Sequence, residues 1–261
     1  MHVRVNDIDI HYQIDGQGPW LVLSHSLACD LSMWDEQVDH FKANYRVLRF
    51  DTRGHGASSA PAGAYSLDTM AADLHGLLAA LDVQRPNFVG LSMGCMIGQT
   101  YALNYPGQLR SLVIADSSGR VPAEAQSMWQ SRGEVALSQG MEPHVEPTLV
   151  RWFTEPFRRT QPAQIERIAK LIRATAPAGY AGCCEAIRRL DVLDRLGEIR
   201  CPALVIVGEQ DAGTPVAMSQ AINQQLPGSE LVILPNAAHL SNVEQAAAFN
   251  RALADFLARH N

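Results

Sequence analysis

The chain begins with alternating hydrophobic and polar positions and then changes to short, continuous apolar runs. The alternation covers residues 3–14 around Asn6-Asp7, and residues 15–19 form a dense turn cluster, so we predict an N-terminal β-hairpin. The apolar runs that follow are too short for helices and are typical of strands buried on both faces. These predicted strands are residues 20–24, 46–50, 87–91, 112–115, 203–207 and 231–234.

Helix-like segments separate most of the predicted strands. Their apolar residues recur with a period of about 3.6 residues, which is the period of an α-helix. The segments are residues 33–41, 67–81, 96–105, 216–226 and 243–258. Strands that alternate with helices form mainly parallel sheets with right-handed crossovers. We therefore predict an α/β fold with a mostly parallel, doubly wound sheet.

One long stretch, residues 119–196, breaks this alternation. It has no convincing strand, and prolines interrupt its helix-like, aromatic-rich pieces. Because ligands bind beyond the carboxyl ends of the strands in such sheets, we interpret this stretch as a helical cap that roofs the site. The predicted domains are a core of residues 1–118 and 197–261 and an inserted cap of residues 119–196.

Composition and charge narrow the class of partner. Hydrophobic residues make up 47% of the chain and charged residues 18%, as in a packed globular enzyme. The net charge of −6 has no blocks of like charge, and so the chain lacks the basic surface that nucleic acids or anionic membranes attract. We expect a small-molecule substrate and no nucleic-acid or membrane partner, and the pattern leaves the oligomeric state open.

The first residues and the cysteines bear on the cellular compartment. The N-terminus runs directly into the predicted hairpin without the features of a secretory signal, and no apolar stretch is long enough for a transmembrane helix. The five cysteines are odd in number and lack metal-ligand spacing. We therefore expect reduced thiols in the cytoplasm and neither a metal nor another cofactor.

A pentapeptide G-L-S-M-G, residues 90–94, lies between an apolar run and the helix-like segment 96–105. A strand, a sharp turn and a helix are the context of the nucleophile elbow, in which the serine occupies a strained turn. The two glycines have a steric reason, since the turn leaves no room for β-carbons on either side of the serine. We predict that Ser92 is a nucleophile.

A serine hydroxyl needs a base to accept its proton and an acid to orient that base. Asp211 and His239 follow the last two predicted strands, which places both residues at the carboxyl edge of the sheet. The chain order Ser92, Asp211, His239 is one in which catalytic triads occur. Glu209 and Asp116, which also follow predicted strands, are the alternative acids.

Ester hydrolysis develops negative charge on the carbonyl oxygen, which preorganised N–H donors stabilise. Met93 follows the nucleophile, and Leu27 lies on the loop after the first buried strand, so we predict that their backbone N–H groups form the oxyanion hole. Ser26 stands on this loop where a glycine is common. Its hydroxyl either stiffens the turn or belongs to an ordinary turn serine.

Two features near this site are expected to be structural. The loop D-T-R-G-H-G at residues 51–56 lacks the G-x-G-x-x-G pattern and the lysine of a P-loop, and so we interpret it as scaffold rather than a nucleotide site. Cys95 occupies a position next to the elbow where a glycine is usual. We interpret it as a small buried hydrophobe rather than a second reactive group.

With these residues placed, the chain resembles α/β-hydrolases over essentially its whole length, and within them it is most similar to 3-oxoadipate enol-lactonases. Among the stretches that match, 151–154 and 179–187 point most specifically to enol-lactonases, because they lie in the cap and caps differ most between hydrolases of different specificity. The matching stretches are H-S-L-A-C-D-L-S-M-W at 25–34, G-L-S-M-G at 90–94, R-W-F-T at 151–154, G-Y-A-G-C-C-E-A-I at 179–187 and A-H-L-S-N-V-E at 238–244.

The resemblance implies an α/β-hydrolase fold with an inserted cap, and a serine ester hydrolase that opens 3-oxoadipate enol-lactone through an acyl-enzyme in the β-ketoadipate pathway. It also implies a lactone or ester substrate with a free carboxylate, for which an arginine is the best-fitted partner. Arg132 is the first choice, because Trp129 lies one helical turn before it on the same face. Arg151 and Trp152 form the second choice.

Several other functions share these residues. A broader carboxylesterase, another lactonase or a cofactor-free perhydrolase or haloperoxidase would use the same triad and differ in the pocket. Epoxide hydrolases and haloalkane dehalogenases are disfavoured, because they place an aspartate where this chain has Ser92. The non-enzymatic alternative is a ligand-sensing module on the same fold.

Overall fold

The computed structural model describes residues 1–260, and its centre is an eight-stranded sheet. The strands are β1 (His2–Val5), β2 (Ile8–Asp15), β3 (Trp20–Ser24), β4 (Arg46–Phe50), β5 (Asn87–Leu91), β6 (Ser111–Ala115), β7 (Ala203–Gly208) and β8 (Glu230–Leu234). Their order in the sheet is β1-β2-β4-β3-β5-β6-β7-β8. β2 pairs antiparallel with β1 and β4, and the remaining neighbours are parallel. The predicted α/β fold, with its N-terminal hairpin at one edge of a mostly parallel sheet, is confirmed.

The helices of the described chain connect the strands as the periodicity predicts, with three differences from the predicted segments. They are α1 (Asp35–Phe41), α2 (Leu67–Ala80), α3 (Met93–Asn104), α4 (Ala123–Gln139), α5 (Glu142–Trp152), α6 (Glu155–Thr160), α7 (Pro162–Ala174), α8 (Pro177–Arg188), α9 (Val216–Gln225), α10 (Ser241–Glu244) and α11 (Ala246–His260).

The three differences have local physical reasons. The segment predicted at 33–41 begins as a 3-10 helix, Leu31–Trp34, which Asp30 caps through its side chain. α3 begins at Met93 rather than at residue 96, because the Ser92 carbonyl already accepts the first hydrogen bonds of the helix. The helix predicted at 243–258 is broken at Gln245, whose backbone is not helical. Apolar periodicity does not report such single-residue events.

Burial along the strands separates the middle of the sheet from its edge. Every residue of β5, β6 and β7 is buried, as expected for strands covered on both faces. The same expectation was wrong for β8, where Leu234 is the only buried residue and Ile233 is 42% exposed. β8 is the last strand of the sheet, and a short apolar run does not reveal this position.

Helices α4 to α8 lie between β6 and β7 in the chain and occupy the stretch predicted as a cap. Prolines lie in the first turn of α5, α6, α7 and α8, where a missing N–H breaks no helical hydrogen bond. α4 packs on α8 and α5 packs on α7. Their buried side chains, among them Leu149 and Ile172, belong to the same continuous apolar cluster as the strands. The division into core and cap domains stays a prediction.

None of the helices within residues 1–260 combines the length and the apolar character needed to cross a bilayer.

Candidate active site

Ser92 lies on a strained turn between β5 and α3. Its backbone has φ 54° and ψ −114°, a combination that costs a non-glycine residue free energy. A β-carbon added at Gly90 would lie 2.4 Å from the Gly94 carbonyl carbon, and one added at Gly94 would lie 2.1 Å from the Ser24 oxygen. The steric reason expected for both glycines is therefore confirmed. The turn lifts the Ser92 side chain to the carboxyl edge of the sheet.

The structure brings Ser92, His239 and Asp211 together. His239 Nε2 lies 2.9 Å from Ser92 Oγ, and His239 Nδ1 lies 2.8 Å from Asp211 Oδ2. His239 follows β8 and Asp211 follows β7, so three loops at one edge of the sheet supply the three groups. All three residues are buried, with Ser92 the most exposed at 9%. The chain of contacts can pass the Ser92 proton to the imidazole and stabilise the resulting imidazolium.

The Asp211 carboxylate is held in place by the residues that follow it. Oδ1 accepts the backbone N–H groups of Gly213 and Thr214 at 2.8 and 2.9 Å, and Oδ2 accepts the Thr214 hydroxyl at 2.6 Å. Burial opposes ionisation of Asp211, but His239 and the Thr214 hydrogen bonds outweigh it, and so its pKa lies below the ordinary value. A carboxylate that stays ionised can orient His239 over a wide pH range.

Neither alternative acid contacts His239. Glu209 is exposed to solvent. Asp116 is fully buried, but its Oδ1 accepts the Gly208 N–H at 2.8 Å and its Oδ2 accepts the Ser241 hydroxyl. Burial and the nearby Asp211 charge raise the pKa of Asp116 well above the ordinary value. Asp116 therefore connects the two loops that carry Asp211 and His239.

The two amides predicted as the oxyanion hole are not used by the rest of the protein. Within residues 1–260, no protein group accepts a hydrogen bond from Leu27 N–H or Met93 N–H. Met93 is the first residue of α3, where backbone N–H groups lack helical partners. Ser26 Oγ also has no partner among these residues, so of the two interpretations left open for Ser26, a hydroxyl that stiffens the turn has no hydrogen bond to support it.

The loop 51–56 supports the loop after β3, which carries Leu27, as expected for scaffold. His55 Nε2 accepts the Ala28 N–H at 2.9 Å, and Asp51 Oδ1 accepts the Leu31 N–H at 2.8 Å. Arg53 pairs with the buried Asp73 at 2.7 Å. The first two contacts fix the loop that carries Leu27, and the Arg53–Asp73 pair joins the loop 51–56 to α2.

Cys95 is buried as predicted, and it also makes hydrogen bonds. Its Sγ lies 3.1 Å from the Ala115 oxygen and 3.0 Å from the Ala115 nitrogen. Burial raises the pKa of the thiol well above its ordinary value, which removes the thiolate that a nucleophile would need. Cys95 thus ties the first turn of α3 to the end of β6.

A cavity of about 180 Å³ opens above Ser92 and His239. Its roof includes the four residues predicted to bind substrate, which are Trp129, Arg132, Arg151 and Trp152. An apolar cavity of about 150 Å³ is large enough to bind benzene, so this cavity suits one small ring with a short substituent.

The roof residues contact each other and the site. The Arg132 guanidinium lies 4.8 Å from the centre of the Trp129 ring, which confirms that the two residues share a helical face. The Trp152 ring stacks near the His239 ring, with centroids 6.1 Å apart. The cavity therefore joins α4 and α5 directly to the edge of the sheet that carries Ser92 and His239.

The two roof arginines lack the carboxylate partners that several other arginines of the same region have. Arg120 and Arg173 each pair with carboxylates of the protein. Within residues 1–260, neither Arg132 nor Arg151 forms an ion pair with a carboxylate. Arg132 hydrogen-bonds with the Tyr180 side chain, and Arg151 donates to the Thr148 hydroxyl at 3.3 Å. Two half-buried guanidinium groups without acidic partners give the cavity a positive side that can bind an anion.

Two residues of the site were missed by the sequence analysis. Thr214 lies three positions after Asp211 and donates its hydroxyl to the Asp211 carboxylate. Aspartate side chains often accept hydrogen bonds from residues two to four positions away, so this contact could have been predicted from the sequence. Glu244 accepts the Ala238 N–H beside His239 and also the Thr154 N–H. Thr154 is distant in the chain, and no local pattern indicates that contact.

The fold and this site define a class of protein. The family model for the alpha/beta hydrolase fold matches residues 19–246, and the chain belongs to this family. Among curated relatives, 3-oxoadipate enol-lactonase 2 of Acinetobacter baylyi is 38% identical, over 99% of this chain and 97% of that protein. The resemblance to enol-lactonases is thereby confirmed.

Solved structures agree with that relationship. The enol-lactonase from Burkholderia xenovorans LB400 superposes with a TM-score of 0.95 at 37% identity, covering 99% of this chain and all (100%) of that one. A thermophilic esterase from Thermogutta terrifontis with malate bound superposes with a TM-score of 0.96 at 29% identity and 100% coverage of both chains. The predicted α/β-hydrolase fold is therefore confirmed.

Proposed function

We propose that this chain hydrolyses 3-oxoadipate enol-lactone to 3-oxoadipate. The observation that supports the proposal best is one cavity that Ser92 and His239 line together with Arg132 and Arg151, neither of which pairs with a carboxylate within residues 1–260. A serine and a histidine in contact suit attack on an ester, and an arginine without a carboxylate partner suits a substrate that carries its own carboxylate. The relatives named enol-lactonase at 37 and 38% identity support the same substrate.

The proposed reaction starts at the ring ester. Ser92 Oγ attacks the lactone carbonyl carbon while His239 Nε2 accepts the hydroxyl proton, and the N–H groups of Leu27 and Met93 stabilise the oxyanion. Collapse of this intermediate breaks the ring C–O bond, and the enol oxygen leaves with a proton from His239. The enol becomes a ketone while the acyl group stays on Ser92.

The second half of the reaction releases the product. His239 accepts a proton from water, which attacks the acyl-enzyme carbonyl, and Ser92 leaves with the proton held by His239. Asp211 stays ionised throughout and orients the imidazole. Arg132 holds the substrate carboxylate at the roof, and its contact with Trp129 limits the positions of the guanidinium. We place the reaction in the cytoplasm, which the five unpaired cysteines support.

The direct test is turnover of the lactone itself. Enol-lactone generated enzymatically is supplied to the purified protein, and its ultraviolet absorbance is followed with Ser92→Ala as the blank. We expect absorbance decay with the natural chain and none above background with the variant. A natural chain that cleaves neutral aryl esters but leaves the lactone intact would contradict the substrate assignment.

The carboxylate contact is tested by comparing two substrates. Arg132→Ala should raise KM for the lactone by about 10- to 100-fold, as expected for a lost charged hydrogen bond, and should leave KM for a neutral aryl ester unchanged. Arg151→Ala tests the second candidate in the same way. Arg173→Ala is the matched control, because Arg173 pairs with Glu142 on the surface. Equal effects on both substrates would remove Arg132 from substrate binding.

A further inference from the structure

The loop after β3 contains a buried hydroxyl that no protein group uses. Ser26 is 0% exposed, and its Oγ has no hydrogen-bond partner within residues 1–260. Ser26 nevertheless lines the cavity that contains Ser92 and His239. Leaving a buried hydroxyl without a partner costs free energy, so its position on a cavity wall indicates that a bound molecule supplies the partner.

Two buried histidines, His25 and His55, fix the backbone on both sides of this hydroxyl. The His25 imidazole donates from Nδ1 to the Ser26 carbonyl at 2.7 Å, and its Nε2 accepts the Thr52 N–H at 3.0 Å. On the other side, Ala28 N–H donates to His55. Burial lowers the pKa of both histidines, which keeps each ring neutral and able to accept.

This anchoring has a directional consequence. In a trans peptide the carbonyl and the following N–H point in opposite directions, and so a Ser26 carbonyl held by His25 directs Leu27 N–H the other way. Leu27 also lines the cavity, and its N–H has no acceptor in the described protein. The Ser26 hydroxyl and the Leu27 amide are therefore two adjacent, unused donors on one rigid loop.

We propose that the Ser26 hydroxyl is a third donor to the carbonyl oxygen of the scissile ester, beside the N–H groups of Leu27 and Met93. The inference rests on the proposed function, because it requires that an ester carbonyl lies above Ser92. The carbonyl oxygen gains charge when Ser92 attacks, and a hydrogen bond from Ser26 is then strongest. Ser26 occupies the position of this loop where a glycine, which has no side-chain donor, is common.

The test variant is Ser26→Ala, measured on both the enol-lactone and a neutral aryl ester. We expect kcat to fall by about 10- to 100-fold on both esters with KM unchanged, because the donor acts on the shared carbonyl group. The melting temperature should stay equal to that of the natural chain or rise, since the change removes an unpaired buried hydroxyl.

Ser24→Ala is the matched control. Ser24 is 0% exposed and its Oγ is also without a partner, but Ser24 does not line the cavity. We expect this variant to retain the natural kcat on both esters. An equal loss of kcat in the two variants, or a loss in Ser26→Ala that accompanies a lower melting temperature, would show a structural role and overturn the proposal.

The remaining outcomes are equally decisive. An unchanged kcat in Ser26→Ala overturns the proposal, and so does a raised KM with unchanged kcat, which would mean ground-state binding elsewhere on the substrate. If the natural chain cleaves the aryl ester but not the lactone, the proposed substrate fails while the aryl ester still tests Ser26. If it cleaves neither ester, both proposals fail.

Discussion

At the scale of single residues, the site depends on positions where one added side-chain atom would change the backbone geometry of the turn at Ser92. Ser92 occupies a backbone conformation that few residues adopt, and Gly94 is in direct contact with the end of β3. The contact partner is the Ser24 carbonyl, which is part of the sheet and cannot move independently. Strain at Ser92 is thus maintained by the close packing of a helix against a strand.

Gly94→Ala should disrupt this packing. A β-carbon would overlap the Ser24 oxygen, and we expect a loss of about 1–3 kcal/mol in the free energy of unfolding together with a lower kcat. Gly133→Ala in α4 is the control, because its β-carbon would meet neighbours only at 3.4 Å or beyond. Urea denaturation and ester turnover measure both effects. Equal stability of the two variants would contradict the packing explanation.

His55 makes stability depend on pH. Its pKa is lowered to about 3 by burial, whereas an exposed histidine has a pKa near 6.5. Between these values the unfolded chain binds a proton that the folded chain does not, so the free energy of unfolding falls as the pH decreases from about 6.5. One such group contributes a slope of about 1.4 kcal/mol per pH unit.

The variant that checks this slope is His55→Gln, which keeps an acceptor for Ala28 N–H but does not titrate. Urea denaturation between about pH 5 and pH 7 should give a shallower dependence in the variant than in the natural chain. His25, whose pKa burial also lowers, contributes in the same direction and leaves some slope in the variant. Identical slopes in the two proteins would show that His55 does not control acid stability.

At the scale of elements, the loop that carries His239 is attached to α5 and the segment that follows it. The Glu244 carboxylate accepts the Ala238 N–H at 2.7 Å through Oε2, and its Oε1 accepts the Thr154 N–H at 2.9 Å and the Thr154 hydroxyl. Leu240 N–H also donates to the Trp152 carbonyl at 3.2 Å. The position of His239 therefore depends on how the roof helices sit on the sheet.

Glu244→Gln should weaken this attachment. Its amide NH2 would face an N–H donor on at least one side, which leaves donors unpaired and should cost about 1–3 kcal/mol in the free energy of unfolding. We also expect kcat to fall by about 10-fold or more, since a small displacement of a catalytic group is costly. Steady-state kinetics and urea denaturation measure the two effects.

The control for this attachment through Glu244 is Thr154→Val, which removes the hydroxyl donor to Glu244 Oε1 but leaves the Ala238 contact intact. We expect Thr154→Val to lower kcat less than Glu244→Gln does. A Glu244→Gln variant with the kcat of the natural chain would show that His239 is positioned without the Glu244 contacts.

At the scale of the whole molecule, the roof helices and the sheet share one apolar cluster. Leu149 and Ile172 of the roof and Leu21 and Val205 of the sheet are all buried in it. A shared core of this kind couples the stability of its parts, because exposing one set of side chains uncovers the other. The roof is therefore expected to unfold together with the sheet.

Leu149→Ala tests this coupling. Loss of a buried leucine side chain should cost about 2–5 kcal/mol and lower the urea midpoint equally by tryptophan fluorescence and by far-UV circular dichroism. Leu137→Ala in α4 is the control, because that side chain is 64% exposed and should change neither midpoint. Separate midpoints for the two probes would mean that the roof unfolds on its own.

The elements were predictable to the extent that their pattern is local. Fully buried strands such as β5 and β7 appear as apolar runs, and the helices between them appear as periodic segments. The edge position of β8 depends on neighbours that are distant in the chain, and the break at Gln245 is a change of backbone conformation at one residue. The apolar pattern shows neither. Most prolines in the stretch 119–196 mark helix starts for the same local reason, the absence of an N–H, whereas Pro147 lies inside α5.

The sequence by itself determined which residue types stand at the ends of the strands, because strand ends and turns are set by local chemistry. This placed Ser92, Asp211 and His239 on loops of one sheet edge, and it placed Arg132 and Trp129 on one helical face. Tertiary structure alone decided which polar groups have partners. It joined Asp116 to Ser241, left Ser26 Oγ without a partner among residues 1–260, and placed the two roof arginines at the cavity without a carboxylate partner. The physical reason is that hydrogen bonds and burial are relations between distant segments, and their free energy depends on distances that only the folded chain fixes.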